Sequence, residues 1–165
     1  MRKIINPFAK TGNSEYQCFG CSPNNENGLH LQFWESGDEV LLNWKPEKRF
    51  EGYMGVLHGG IQATLFDEIA SWTVYTKCHT AGVTSRLNVT YKKPLLIDRG
   101  NVTIKARVKD FARRIAVIFC EIYDGDNLLC AEAEVTYFCF PENVAREKYM
   151  YPGADAFFSP VDPGQ

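Results

Sequence analysis

The sequence lacks any apolar run approaching the roughly 18 residues that a membrane-crossing helix needs, so no membrane partner is expected. It also lacks a basic excess. Eighteen Lys and Arg stand against 20 Asp and Glu, a formal net charge of −2, which argues against a nucleic-acid partner. Arg2 and Lys3 are not followed by an apolar stretch, so neither a signal nor a transit peptide is expected, and the expected location is cytoplasmic. There is no internal repeat and no low-complexity tract. Closely spaced cysteine pairs are nearly absent too: Cys18 and Cys21 form a lone C-x-x-C with no second pair to complete a zinc set. That pair reads as a plain turn with packed thiols. Cys78, Cys120, Cys130 and Cys139 sit in periodic apolar segments and read as reduced core thiols rather than a disulfide scaffold. No metal and no cofactor is expected.

What is present is enough for one core. The 165 residues fit a single domain, and 45% hydrophobic content with 13% aromatics suits a soluble globular chain. Its most informative segment opens with His58-Gly59-Gly60 and runs to about Thr76. Ile61, Ala63, Leu65, Phe66, Ile69, Ala70, Trp72 and Val74 leave no wide polar stripe, so this reads as a central core helix. It carries two acids, Asp67 and Glu68. A carboxylate among apolar residues is costly unless paired or used, which marks this helix as the place for function.

Alternation of apolar and polar residues supplies the rest. Leu29 to Trp34 and Val40 to Trp44 read as a hairpin around Gly37-Asp38. Val83 to Tyr91, Val102 to Val108, Arg114 to Tyr123 and Leu128 to Phe138 read as four strands, the last two joined by the turn Asp124-Gly125-Asp126-Asn127. Residues 1–27 read as an irregular arm that could cover the site, residues 28–140 as the domain, and residues 141–165 as a tail. The tail holds a helix-compatible piece, Glu142 to Tyr149, then Pro152, Pro160 and Pro163, and is expected to pack loosely or not at all. The order gives an α+β domain, one long helix against a single antiparallel sheet of about six strands.

This order, with Glu51-Gly52-Tyr53-Met54-Gly55-Val56-Leu57-His58-Gly59-Gly60, Ala63-Thr64-Leu65-Phe66-Asp67 and Asn88-Val89-Thr90-Tyr91-Lys92-Lys93-Pro94, resembles the hotdog-fold acyl-CoA thioesterases, in particular their phenylacetate-pathway-like branch. Cys18-Phe19-Gly20-Cys21 with Asn27-Gly28-Leu29 is similar to an opening in bacterial members. The resemblance spans about residues 18–140. It implies hydrolysis of an acyl-CoA, a homodimer that can pair into a tetramer, and a hydroxyl at Thr84 that orients the attacking water. Many members carry an Asn six residues before the motif His, where this chain has Gly52; a mammalian branch pairs the same lead-in with an Asp and a Thr instead.

Thioester hydrolysis needs a nucleophile and donors aimed at the oxygen that gains charge. Asp67 can attack directly or activate water, and both need an ionised, close carboxylate. Ala63, Thr64, Ala70 and Ser71 are small and keep the face around Asp67 open. The N–H groups of Gly59 and Gly60 lie at the positive end of the helix dipole, where an oxyanion is favoured. Gly60 and Asp67 are nevertheless roughly 10 Å apart along the axis, too far for one thioester carbon. A two-fold dimer in which Asp67 of one chain faces Gly59 and Gly60 of the other removes the conflict.

His58 reads as a cap that shapes the loop, or alternatively as a base. Thr84 could equally be an ordinary strand former, with Ser85 as the fallback if the register slips by one. Glu68 projects about 100° from Asp67 and is expected to meet a cation at the dimer seam. Lys92, Lys93, Arg113 and Arg114 are expected to cluster at strand ends where coenzyme A phosphates could lie, with Arg113 and Arg114 favoured by the resemblance. Two other functions stay open: a non-catalytic acyl-CoA-binding module, and an enoyl-CoA hydratase or dehydratase on the same fold.

Overall fold

A long helix, α1 (Gly59–Lys77), forms because its residues bury on almost every side: Leu65, Phe66, Ile69, Ala70, Trp72 and Val74 are all enclosed. The computed structural model describes residues 1–9 and 15–158. Seven strands wrap the helix: β1 (Arg2–Ile4), β2 (Phe33–Ser36), β3 (Glu39–Trp44), β4 (Gly82–Tyr91), β5 (Val102–Ala112), β6 (Ile115–Tyr123) and β7 (Leu129–Cys139). They make one antiparallel sheet in the order β1-β2-β3-β5-β6-β7-β4, and α1 packs on β3 through β7. A second helix, α2 (Glu142–Tyr149), follows where the sequence pattern puts it.

The sheet has one strand more than the sequence predicts, because β1 forms within the supposed arm. Three residues carry no periodic signal, yet Ile4 is buried and Arg2 pairs with Glu35 of β2 at 2.8 Å. The first long strand is also shorter than alternation suggests. Leu29 and Leu31 are buried, but their N–H groups donate to the carbonyls of Phe19 and Gly20, and His30 takes a left-handed φ of 52°. These residues therefore pair with the arm instead of the sheet.

The tail is packed rather than loose as far as it is described. Phe157 and Tyr151 are buried and stack with Tyr75 of α1, and the Ile5 N–H donates to the Phe157 carbonyl. Pro160 and Pro163 lie outside the described residues.

The β6–β7 turn is held by Asp124. Its Oδ1 accepts the N–H groups of Asp126 and Leu128 at 3.0 and 2.8 Å, and Arg99 donates to its Oδ2 at 3.1 Å. Burial works against the charged form, but the Leu128 N–H, Arg99 and the Asp126 N–H outweigh it and hold the carboxyl below the usual aspartate range. A depressed folded value means that the stabilisation is complete above the unfolded value of about 3.9 and is lost as pH falls through the folded value. Asp124→Asn is expected to lower the thermal midpoint at neutral pH and to flatten its fall on acidification. An unchanged acid slope in the variant would contradict this assignment.

Candidate active site

Asp67 sits two turns into α1, half-buried, where the helix faces the sheet edge formed by β4. Thr84 of β4 donates its hydroxyl to Asp67 Oδ1 at 2.7 Å. Tyr137 of β7, the cross-strand partner of Thr84, donates to the same Oδ1 at 3.2 Å and to the Asp67 carbonyl at 2.9 Å. Both donors converge on one oxygen. Among the described residues Oδ2 has no hydrogen-bond partner, so the carboxylate is fixed in orientation through Oδ1 with its second oxygen unengaged. Burial and the neighbouring Asp67 push the Tyr137 phenol up, so it keeps its proton and remains a donor.

Tyr137 is missing from the sequence reading. The signal was available: along β7 the inward positions Ala133, Val135, Tyr137 and Cys139 are buried, and Tyr137 alone among them carries a hydroxyl. A buried phenol needs a partner. Tyr137→Phe is expected to lower kcat by about 10- to 100-fold with little change in KM, since it removes one hydrogen bond to a charged group. Steady-state kinetics on the purified variant check this, and an unchanged kcat would contradict it.

A β-bulge decides between Thr84 and Ser85. The register of β4 on β7 shifts between Thr84 and Arg86, so Thr84 meets the helix although Leu87 and Val89, an odd number of residues away, also pack on the core. A bulge re-aims side chains in this way. Ser85 is the inserted residue. Its hydroxyl donates to the Thr136 carbonyl at 3.1 Å, away from Asp67, and it drops out as a substitute for Thr84.

At the helix start the His58 ring is the cap. Its Nδ1 accepts the Gly60 N–H at 2.9 Å. This corrects the expected pair of free glycine donors, because Gly60 is already engaged and only the Gly59 N–H has no partner among the described residues. Tyr91, at the end of β4, donates to the Gly59 carbonyl at 2.6 Å and covers this end of the helix. The lead-in loop is fixed from both sides. Glu51 Oε2 accepts the N–H of Gly55, whose φ of 77° favours glycine, and Gln62 Nε2 donates to the Leu57 carbonyl. A Cβ at Gly52 would lie 3.4 Å from His58 Cα, ordinary contact. A concavity of about 450 Å³ lined by Gly52, Tyr53, His58 and Gly59 opens beside the helix start.

Three further expectations are corrected. Ala70 is fully buried and Ser71 borders a cavity on the arm side, so only Ala63 and Thr64 flank Asp67 on its open side. Within one chain Glu68 turns to the arm and meets no cation among the described residues: Cys18 Sγ lies 3.4 Å from its Oε1, and burial pushes its carboxyl up to about 8. The basic residues do not cluster within one chain. Arg113 and Arg114 form the β5–β6 turn, both at positive φ, level with Val83 at the Asp67 end of the sheet, whereas Lys92 and Lys93 follow the other end of β4. Seven residue steps of strand, from Thr84 to Tyr91, separate the two ends by roughly 23 Å. Lys92 is paired there with Glu132 at 3.0 Å. The larger cavity of about 540 Å³, beside β1, contains no carboxylate and lies away from Asp67.

Comparison with known proteins bears on this arrangement. Residues 54–131 match the model of the thioesterase superfamily. A Saccharolobus solfataricus protein named provisionally as an esterase is 34% identical over 116 residues, covering 70% of this chain and 75% of its own. The mouse acyl-coenzyme A thioesterase 13 is 29% identical over 80 residues, 48% of this chain and 56% of its own. A hypothetical thioesterase protein of Streptococcus pneumoniae crystallised with coenzyme A superposes with a TM-score of 0.62 at 24% identity, covering 68% of this chain and 87% of its own, which speaks for the fold.

Proposed function

The chain belongs to the thioesterase superfamily, and on that premise we propose that it hydrolyses acyl-CoA thioesters at two composite sites of a homodimer. The observation that carries this reading is the Asp67 carboxylate, fixed through Oδ1 by Thr84 and Tyr137, with Oδ2 free on an accessible edge. The named activity of the mouse relative and the coenzyme A of the pneumococcal structure support the substrate class. The C-x-x-C opening and the Glu51-Gly52-x-x-Gly55 lead-in support, within this reading, the phenylacetate-pathway-like branch.

The dimer rests on the sheet edge. β4 is ten residues long, borders only β7, and leaves a row of backbone groups unpaired; Thr84 to Arg86 are exposed along it. Such an edge is a template for another strand. A two-fold antiparallel pairing centred near Leu87 and Asn88 sets Thr84 opposite the partner's Tyr91, the residue that bonds Gly59 at the helix start. Asp67 then faces the N–H of the partner's Gly59. The same pairing brings Arg113 and Arg114 to the level of the partner's Lys92 and Lys93, a basic rim for the coenzyme A phosphates. On the outer sheet face Val83, Phe138 and Ile115, 45%, 40% and 39% exposed, form an apolar row that supports further pairing into a tetramer.

In the reaction, Oδ2 takes a proton from water as the water oxygen attacks the thioester carbonyl carbon. The oxyanion gathers on the partner's Gly59 N–H at the positive helix end. Collapse breaks the carbon–sulfur bond, and Asp67 returns the proton to the departing coenzyme A sulfur, which restores the carboxylate and leaves free acid and thiol. In the covalent variant Oδ2 attacks the carbonyl itself and water then opens the anhydride. Heavy oxygen from labelled water entering Asp67 in one turnover marks the covalent variant with the anhydride opened at the Asp67 carboxyl carbon, and trapping of the acyl anhydride marks it with opening at the acyl carbon. A panel of acyl-CoAs with thiol-trapping detection tests the function. Release of free coenzyme A supports it; tight binding without release would point to a sensor, and hydration of an enoyl-CoA without release to a hydratase.

A further inference from the structure

Glu68 is the acid that the proposed reaction leaves unused. Its side chain turns to the arm, and among the described residues no cation lies within ion-pair distance of it. What it meets instead is two thiols. Cys18 Sγ is 3.4 Å from Oε1, Cys21 Sγ is 3.0 Å from Cys18 Sγ, and the three ligand atoms lie within 4.8 Å of one another. A carboxylate enclosed without a cation costs several kcal/mol, and a proton or a metal ion removes that cost.

We propose that Cys18, Cys21 and Glu68 bind a thiophilic divalent cation, zinc first, with its fourth position open to water. The ligand types select zinc over magnesium or calcium. Tetrahedral zinc holds two sulfurs about 3.8 Å apart and a sulfur and an oxygen about 3.5 Å apart, so the thiol pair opens by less than an ångström, the Cys18–Glu68 distance already fits, and Cys21 Sγ and the Glu68 carboxylate, within 4.8 Å of each other, move together by a side-chain adjustment on the order of 1 Å at most. Supporting donors are in place: the Cys21 N–H points at Cys18 Sγ at 3.3 Å, and the Tyr16 hydroxyl lies 3.0 Å from Cys21 Sγ. Such contacts stabilise a metal-bound thiolate. The three ligands line a cavity of about 230 Å³, which gives a water room to complete the coordination.

Gly20 has its place in this geometry. A Cβ there would fall 2.3 Å from the Glu68 side chain, so glycine is what lets the C-x-x-C turn close over the carboxylate. A Cys18–Cys21 disulfide is the competing state of the pair. It would remove the thiol proton that Glu68 accepts and leave the carboxylate facing sulfur with no donor, whereas a cation engages all three groups at once. The ion clips the arm to α1 one residue from Asp67. Glu68 is the third ligand that the C-x-x-C lacks in sequence, 47 positions downstream of Cys21.

The test uses the full chain, expressed with zinc and purified under reducing conditions. Metal analysis is expected to find one zinc per chain, and cobalt replacing zinc is expected to give intense visible bands of a tetrahedral site with a thiolate charge-transfer band. Glu68→Gln is expected to weaken cobalt binding by at least about tenfold. Reduced wild-type protein that takes up neither ion, or a Glu68→Gln variant that binds as tightly as wild type, would overturn the assignment. So would an intact mass two hydrogens low in protein handled without oxygen, if reduction then brought no metal uptake. The cobalt spectrum of the wild type decides the matter even if a variant fails to fold.

Discussion

Asp67→Asn is expected to lower kcat for acyl-CoA hydrolysis by about 10²–10⁴-fold, the contribution of a positioned general base, and by more if the carboxylate attacks directly. Asn matches Asp in shape, and its carbonyl oxygen can still accept from Thr84 and Tyr137, so the edge of α1 keeps its structure. What disappears is the proton-accepting power of the second oxygen. Substrate binding is therefore expected to persist in the variant. Thiol-release kinetics beside circular dichroism separate this from unfolding, and a folded variant with wild-type turnover would remove Asp67 from the chemistry.

Gly59→Pro is expected to lower kcat by about 10²–10³-fold through loss of the donor to the oxyanion. Proline suits the first helical position, where its fixed φ is favourable and its missing N–H has no intrahelical partner. The new side chain does crowd Tyr91, since a Cβ would lie 3.3 Å from its hydroxyl. Gly59→Ala meets the same crowding and retains the N–H, so it serves as the control. A large loss with Pro and a small one with Ala assigns the effect to the donor; equal losses would assign it to the displaced Tyr91.

The parts of this molecule legible in sequence are those governed by periodicity. The enclosed helix, the long strands β4 to β7 and α2 follow from apolar spacing, and the lone acids on α1 stand out because burial is costly for them. What alternation could not carry was settled by local backbone events. The bulge after Thr84 reverses the parity of β4, and the left-handed His30 ends pairing before β2 begins. The Gly60 N–H was lost to a ring two residues back, a competition that spacing does not reveal. What Tyr137 and Glu68 would meet was hidden for a different reason. Their partners, 70 and 50 positions away, are set by which strand lies beside which and by where the arm folds.

The composite nature of the site is the claim on which the rest depends, and mixing Asp67→Asn with Gly59→Pro protein tests it most directly. Each variant alone is expected to be nearly inactive. After the subunits exchange at equal amounts, half the dimers are mixed, and each mixed dimer holds one site with both Asp67 and the opposing Gly59 intact. Activity is then expected to return to about one quarter of wild type, as two-fold symmetry requires. If the mixture exchanges subunits yet stays as inactive as its components, Asp67 and Gly59 do not act across a shared interface and the account is wrong.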